Sequence, residues 1–343
     1  MMKQQEENID KSLFEPAGVD TFSAEKIEKP SLNYWQDAWL RIKKNKAAVV
    51  SLVILFLIVF MAIVGPLISG KDFSTQTTSE ANLPPRIQGL EHVSFLPFTG
   101  ERTLKSGDVV NPYEQKGIDH YYWFGTDNLG RDLFTRVWKG TQISLLIAVV
   151  AAVIDLIIGV AYGAISGYFG GKIDNAMQRV LEVLMGIPNL IVVILMILVL
   201  KPGIIPIIIA LSITGWISMA RVVRAQVMKL KEQEYVLAAR TLGLSNFKII
   251  FKHMLPNLTG VMIINTMFTI PSAIFFEAFL SFIGLGLQEP QASLGTLIED
   301  GFKSMIAFPY QMVYPAIIIS VIMIVFNLVA DGVRDALDPK MKD

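Results

Sequence analysis

Residues 221–258, RVVRAQVMKLKEQEYVLAARTLGLSNFKIIFKHMLPNL, separate two apolar segments, and the reading of the whole chain turns on them. An antiparallel helix pair needs only a few connecting residues, so a polar connection of this length asks for a purpose. Glu234 suits the first turn of a helix carrying Tyr235, Ala238, Ala239 and Leu242, because negative charge is favoured at the positive end of the helix dipole. Gly243 ends that helix, as the residue that most easily takes positive φ at a cap. Ser245 is placed to cap a second helix with Phe247, Ile250, Phe251 and Met254 on one face and Lys248 and Lys252 opposite. Leu255, preceding Pro256, marks that helix's expected end. The pattern is helix, glycine turn, helix. Two adjacent alanines leave a narrow ridge that another protein's backbone could approach closely; an amphipathic hairpin lying on a membrane fits the same pattern.

Working outward, the flanks are apolar. The chain has 343 residues, 52% hydrophobic and 17% charged, against about 25% charged in an ordinary soluble domain. Residues 47–69 (AAVVSLVILFLIVFMAIVGPLIS) carry no charge and are long enough to cross a bilayer. Further apolar segments fall near 142–165, 180–200, 203–220, 258–283 and 312–330, which makes six expected crossings. Largely polar residues precede the first, so a cleaved signal peptide is not expected. An even number puts both ends on one side. Arg41, Lys43, Lys44 and Lys46 abut the first span, and seven Lys and Arg lie between the fourth and fifth, so both termini are expected in the cytoplasm of a multi-pass plasma-membrane protein.

The expected organisation is a tail at 1–46 ending in an interfacial helix around Trp35 and Trp39, a first span at 47–69, an external loop at 70–139 partly packed on the bundle, a five-helix unit at 140–331 and a cytoplasmic tail at 332–343. Thirty Lys+Arg against thirty Asp+Glu leave no basic excess for nucleic acid. The absence of cysteine excludes thiolate catalysis and Cys-ligated metals, and the three histidines form no HExxH pair. GYFGGKID (167–174) lacks the spacing of a phosphate loop and is read as a tight turn. No cofactor and no catalytic residue is expected. An ion-coupled secondary transporter could share the six spans, and an intramembrane hydrolase would need a catalytic pair that is not visible.

Asp155 sits mid-span, where an acid costs about 2.5–3.5 kcal/mol on insertion scales, so it should not face lipid. Ala148, Ala151, Ala152, Gly159, Tyr162, Gly163 and Ser166 form a small, polar stripe with it, expected to pack against other helices. Asp155 is a candidate for the substrate pathway or for a structural hydrogen bond. Glu277, near the outer end of span five, is a second pathway candidate, with gating or helix packing favoured. Arg179 and Glu182 read as a local ion pair, and Pro188 as a kink whose freed backbone groups Asn189 could satisfy. Asp127, Arg131 and Asp132 offer turn and capping chemistry ahead of span two, on a segment that could also dock a binding protein.

The connection resembles the "EAA" loop of ABC importer permeases, whose pattern is E-A-A, three residues, G, nine residues, I-x-L-P. Ala238, Ala239, Gly243, Leu255 and Pro256 fall on that pattern; Leu237 and His253 depart from it, and Glu234 stands nearby but out of register. Four further blocks resemble the peptide-importer branch in the same order: HYYWFGTDNLGRDLFTR (120–136), EAFLSFIGLGL (277–287), ASLGTLI (292–298) and ADGVRDALDP (330–339). The resemblance implies an all-α, six-transmembrane type I importer bundle. It also implies a second permease subunit, two ATPase subunits held through a coupling helix around Glu234, Ala238, Ala239, Gly243, Leu255 and Pro256, and an extracellular lipid-anchored peptide-binding protein. Oligopeptides are the implied cargo, with dipeptides or nickel open as alternatives.

Overall fold

The computed structural model describes residues 33–93, 96–104 and 107–337. Most of the expected N-terminal tail and the end of the last block, Asp338 and Pro339, lie outside them. Helix α1 (Tyr34–Lys44) starts in a capping box between Asn33 and Gln36 and exposes Trp35 and Trp39. Asn45 then accepts from the Ala48 amide at 3.1 Å and so starts α2 (Lys46–Ser69), which Gly70 terminates.

The long loop that follows has its own structure. A two-residue ladder pairs β1 (Arg102–Thr103) with β2 (Val109–Val110), and α3 (Pro112–Lys116) packs Tyr113 with Leu83, Ile118 and Tyr122 into a small core. Tyr310 donates to the Thr126 carbonyl at 3.1 Å and Gln311 to Asn82 at 2.9 Å, so the loop is packed on the bundle as expected.

Helix α4 (Leu133–Phe169) has 37 residues, about 55 Å at 1.5 Å per residue, and therefore overruns a hydrocarbon core of about 30 Å. The expected lead-in segment and span two are one helix. The glycines of its small stripe are buried against α7 (Ile204–Leu230), and Ala148, Ala151 and Ala152 lie in the main core. A Cβ on Gly159 would lie 2.6 Å from that of Met219, and one on Gly167 2.7 Å from the Arg224 carbonyl. Small residues there let the two backbones touch.

Between these helices, Gly170 and Gly171 form the expected turn, and α5 (Gly171–Met185) and α6 (Asn189–Leu200) follow at 77° to each other across Pro188. The third crossing is a broken one. Among the described residues five helices are long and apolar enough to cross a membrane, and six segments result if the bent pair counts as one. Asn189 accepts from Thr214 at 2.7 Å instead of serving freed backbone groups.

After α8 (Glu234–Thr241) comes α9 (Asn246–Leu285). The expected end at Leu255 is overturned: the helix continues through Pro256. Ile249–Met254 form a wide turn in which the Leu255 amide reaches back to Ile250, five residues away, and Pro256 then opens a fresh α-helical stretch where its missing N–H costs nothing. Helix α10 (Leu294–Ser304), started by a Ser293–Thr296 capping box, and α11 (Tyr310–Leu337) complete the bundle. The main core joins α2, α4, α9, α10 and α11 around Phe134, Trp138, Ile274 and Phe326.

Candidate functional site: a helical corner and a membrane cavity

The corner is built from α8 and its turn. Glu234 occupies the first turn as expected. Val236 and Ala239 are buried with Ala164, Tyr168, Val227 and Ile249, which fixes the helix on the ends of α4, α7 and α9. At its far end the Leu244 amide donates to Ala239 O at 3.2 Å and the Gly243 amide to Arg240 O at 3.0 Å, with Gly243 at φ +77°. These two bonds make a Schellman cap, which requires the left-handed conformation glycine adopts freely. Ser245 stands at the start of α9, but its side chain makes no capping bond; its carbonyl accepts from Ile249 instead.

The two alanines do not form one ridge. Ala239 faces inward, while Ala238 is exposed between Leu237 and Leu242, the latter 80% exposed. The outward surface of the corner is thus an apolar step with a small residue at its middle. Leu255 and Pro256 lie on α9, beyond the turn; Leu255 is half-buried and Pro256 exposed. Asn257 donates to the Tyr235 hydroxyl at 3.2 Å and links that part of α9 to α8.

Behind the corner lies a polar clasp. Arg224 of α7 donates to Asp174 of α5 through Nε at 2.6 Å and Nη2 at 2.5 Å, and Ser166 of α4 donates to the same carboxylate. Tyr168 of α4 donates to Asn246 at the start of α9 at 2.8 Å. No spacing pattern announces these pairs, since their partners are distant in the chain. The expected Arg179–Glu182 pair is present at 2.6 Å.

A cavity of about 320 Å³ opens between α4, α6, α7 and α9. Asp155 lines it, as do Asn189, Thr214, Ser218, Asn265 and Thr269. The Asp155 side chain rests against Gly215, where a Cβ would collide with the carboxylate. Asp155 is 4% exposed, and among the described residues its Oδ1 has no hydrogen-bond partner.

Glu277 is placed elsewhere. It is fully buried and does not line the cavity; Ser144 of α4 and Ser281 of α9 each donate to it at 2.9 Å, and Ser144 in turn accepts from the Leu294 amide of α10. A carboxylate so surrounded ties three helices together.

At the start of α4, Asp127 accepts from the amides of Leu129 and Arg131 and from Arg131 Nε at 2.6 Å, Arg131 reaches Glu289 at 2.8 Å, and Asp132 caps α4 by accepting from Thr135. The turn and capping chemistry expected there is present. In the adjoining loop, Lys71 lies 3.0 Å from the Tyr122 ring and donates to the Tyr121 carbonyl. Burial pushes its ammonium group down to about 8, against the opposing pull of Asp132 and Glu80.

The bundle thus combines a capped helical corner, a close-packed glycine helix pair and a polar cavity among helices long and apolar enough to cross a membrane. Residues 159–343 match the family model described as "Binding-protein-dependent transport system inner membrane component", and residues 33–85 match that of the "N-terminal TM domain of oligopeptide transport permease C". The chain belongs to this family of membrane permeases of ABC importers, with the type I fold, and within it to the OppC type. It is 46% identical to the oligopeptide transport system permease protein OppC of Bacillus subtilis, over 98% of this chain and 99% of that one. The dipeptide permease DppC of the same organism is 45% identical over 93% of this chain and 90% of its own length, and OppC of Escherichia coli 39% identical over 94% and 96%. A solved structure of the MetNI methionine ABC transporter in an inward-facing conformation matches with a TM-score of 0.49 at 18% identity, over 59% of this chain and 96% of that one.

Proposed function

We propose that this chain is one of two permease subunits forming the pore of an ATP-driven oligopeptide importer. The observation that carries the reading is near-full-length similarity to an oligopeptide permease, at 46% identity. Two ATPase subunits bind at the cytoplasmic face, and a lipid-anchored peptide-binding protein delivers cargo from outside. Both termini are cytoplasmic, which puts the corner on the inner side and the 70–132 loop outside.

In this reading α8 is the coupling helix. Glu234 and the exposed step around Ala238 meet the ATPase; Ala239 and Gly243 hold the helix and its turn in place; Leu255 and Pro256 pass its displacement into α9. Closure of the ATPase pair around ATP shifts the corner and biases the bundle between inward-open and outward-open states. Hydrolysis belongs to the partner subunits. Asp155 faces the substrate pathway, and Glu277 acts on that pathway by holding α4, α9 and α10 together.

The test is purification of the tagged chain from its native membrane, followed by reconstitution. Copurification of a second permease and two ATPases, with ATP-dependent uptake of oligopeptides, is expected. Uphill uptake by this chain alone would overturn the reading, and uptake restricted to dipeptides or nickel would correct the cargo.

A further inference from the structure

Among the described residues, Asp155 is the only ionisable one lining the membrane cavity. We propose that its carboxylate, set among acceptor oxygens of the same cavity, receives the protonated α-amino group of a peptide in transit; this rests on the importer reading above.

Three observations carry the proposal. First, Oδ1 of a side chain 4% exposed has no partner among the described residues, in a medium where an unpaired polar atom costs several kcal/mol. Glu277 is served by two serines, and Asp174 by Ser166 and Arg224; Asp155 is served by none among the described residues. The fold thus satisfies the carboxylates of Glu277 and Asp174 and leaves that of Asp155 open toward a cavity.

Second, of the four hydroxyls that line the cavity, three have their hydrogens already spent. Thr214 donates to Asn189 Oδ1 at 2.7 Å, Thr269 to the Asn265 carbonyl at 3.0 Å and Ser272 to the Phe268 carbonyl at 3.0 Å. What these groups retain is lone pairs. A carboxylate with several acceptor oxygens and no cationic residue suits a ligand bearing multiple N–H donors and a positive charge, and repels a carboxylate.

Third, Gly215 makes room for the group. Its missing side chain lets the carboxylate lie against the α7 backbone, and any Cβ would drive it away. Among peptides of varied sequence the α-ammonium is the cation that recurs, whereas side-chain charges come and go. Recognition at Asp155 would therefore be independent of peptide sequence and would orient the chain with its amino end at this cavity.

The test uses the complete importer in proteoliposomes, with the binding protein and ATPases unaltered, and compares uptake of trialanine with that of N-acetyl-trialanine. The readout is the ratio of the two uptake rates in each variant relative to the wild type, which cancels any preference of the binding protein. Asp155→Asn should collapse that ratio by about tenfold, since a site built to pair a donor discriminates strongly against its absence. Gly215→Ala should act in the same direction by displacing the carboxylate, and Asp155→Glu should retain most of the ratio. Assembly of each variant complex is checked by size-exclusion chromatography. An unchanged ratio in both Asp155→Asn and Gly215→Ala, or an equal fall in uptake of the two peptides, overturns the proposal in favour of a packing role. Failure of the importer reading is recognised separately, because the wild-type complex would then show no ATP-dependent uptake of either peptide.

Discussion

Arg224 and Asp174 face each other in a two-pronged pair, with nitrogen to oxygen distances of 2.6 and 2.5 Å, that joins α7 to α5 across fifty residues of sequence. Asp174 is almost fully buried while Arg224 keeps 28% of its side chain exposed, so the pair is dry on one side only. Removing one partner of a buried pair is costly because the other charge is left unanswered. Asp174→Ala should destabilise the chain by about 3 kcal/mol, read as a lowered unfolding temperature of the detergent-solubilised complex. Arg224→Met with Asp174→Leu should recover much of that loss; a double variant as unstable as Asp174→Ala would show that the pair has a role beyond mutual compensation.

The two corner alanines should respond differently. Ala239→Trp overfills the cluster of Val236, Val227 and Ile249, and overpacking of this kind costs about 1–3 kcal/mol or more, so it should impair folding along with transport. Ala238→Trp adds bulk on the exposed step. It should leave membrane insertion and thermal stability intact while weakening copurification of the ATPases, measured by pull-down from detergent. Equal losses of stability in the two variants would refute the assignment of inner and outer faces.

Gly243→Ala forces a side chain into a left-handed conformation, at a cost of about 1–2 kcal/mol localised to the end of α8. Faster hydrogen exchange of the Gly243 and Leu244 region amides is expected, with the rest of the bundle unchanged. Gly243→Pro removes the amide that donates to Arg240 as well, and should abolish uptake without blocking insertion.

The loop at 70–132 should grow more stable as pH rises above about 8. Lys71 is held below its ordinary value of 10.5, at about 8, so between those values the unfolded chain binds more protons than the folded one. Stability then increases with pH through that interval, and below it the contribution is a constant penalty. Buried tyrosines Tyr113 and Tyr122, pushed upward by desolvation, reverse the trend once unfolded tyrosines ionise near pH 10. Limited proteolysis of the loop between pH 7.5 and about 9.5 should slow in the wild type and lose that pH dependence in Lys71→Met.

Close approach of α4 and α7 should tolerate no side chain. Gly163→Leu inserts bulk where even a Cβ would meet the Ala220 carbonyl and Val223, and loss of the assembled complex on size-exclusion chromatography is expected.

Much of this architecture was legible in the sequence, for identifiable reasons. The stripe from Ala148 to Ser166 is periodic and small, so its burial against another helix follows from spacing alone. Glu234 and Gly243 carry local end signals, and Pro188 marks a break that any helix must accommodate. Other features depend on partners far along the chain. Nothing near Asp174 points to Arg224, and nothing near Glu277 announces Ser144 or the amide of Leu294. The division of Ala238 from Ala239 needed the direction of α8 on its neighbours, which adjacent identical residues do not encode. Pro256 reads as a stop because a proline inside an α-helix removes a bond; a wide turn immediately before it changes the register and lets the helix run on. Asp155 was visible as an expensive residue, but its lack of a partner was not.

The length of α9 has a consequence for leakage. At about 1.5 Å per residue its 40 residues reach about 60 Å, so a tilt of about 5° about one end carries the other by about 5 Å. Tyr168 grips the helix at Asn246, Asn265 and Thr269 form part of the cavity wall, and Glu277 is held among α4, α9 and α10, all along the same helix. The end held at Asn246 and the cavity wall thus share one helix, with the wide turn at Ile249–Met254 as a hinge between them, so movement at the corner reaches the aperture through that turn.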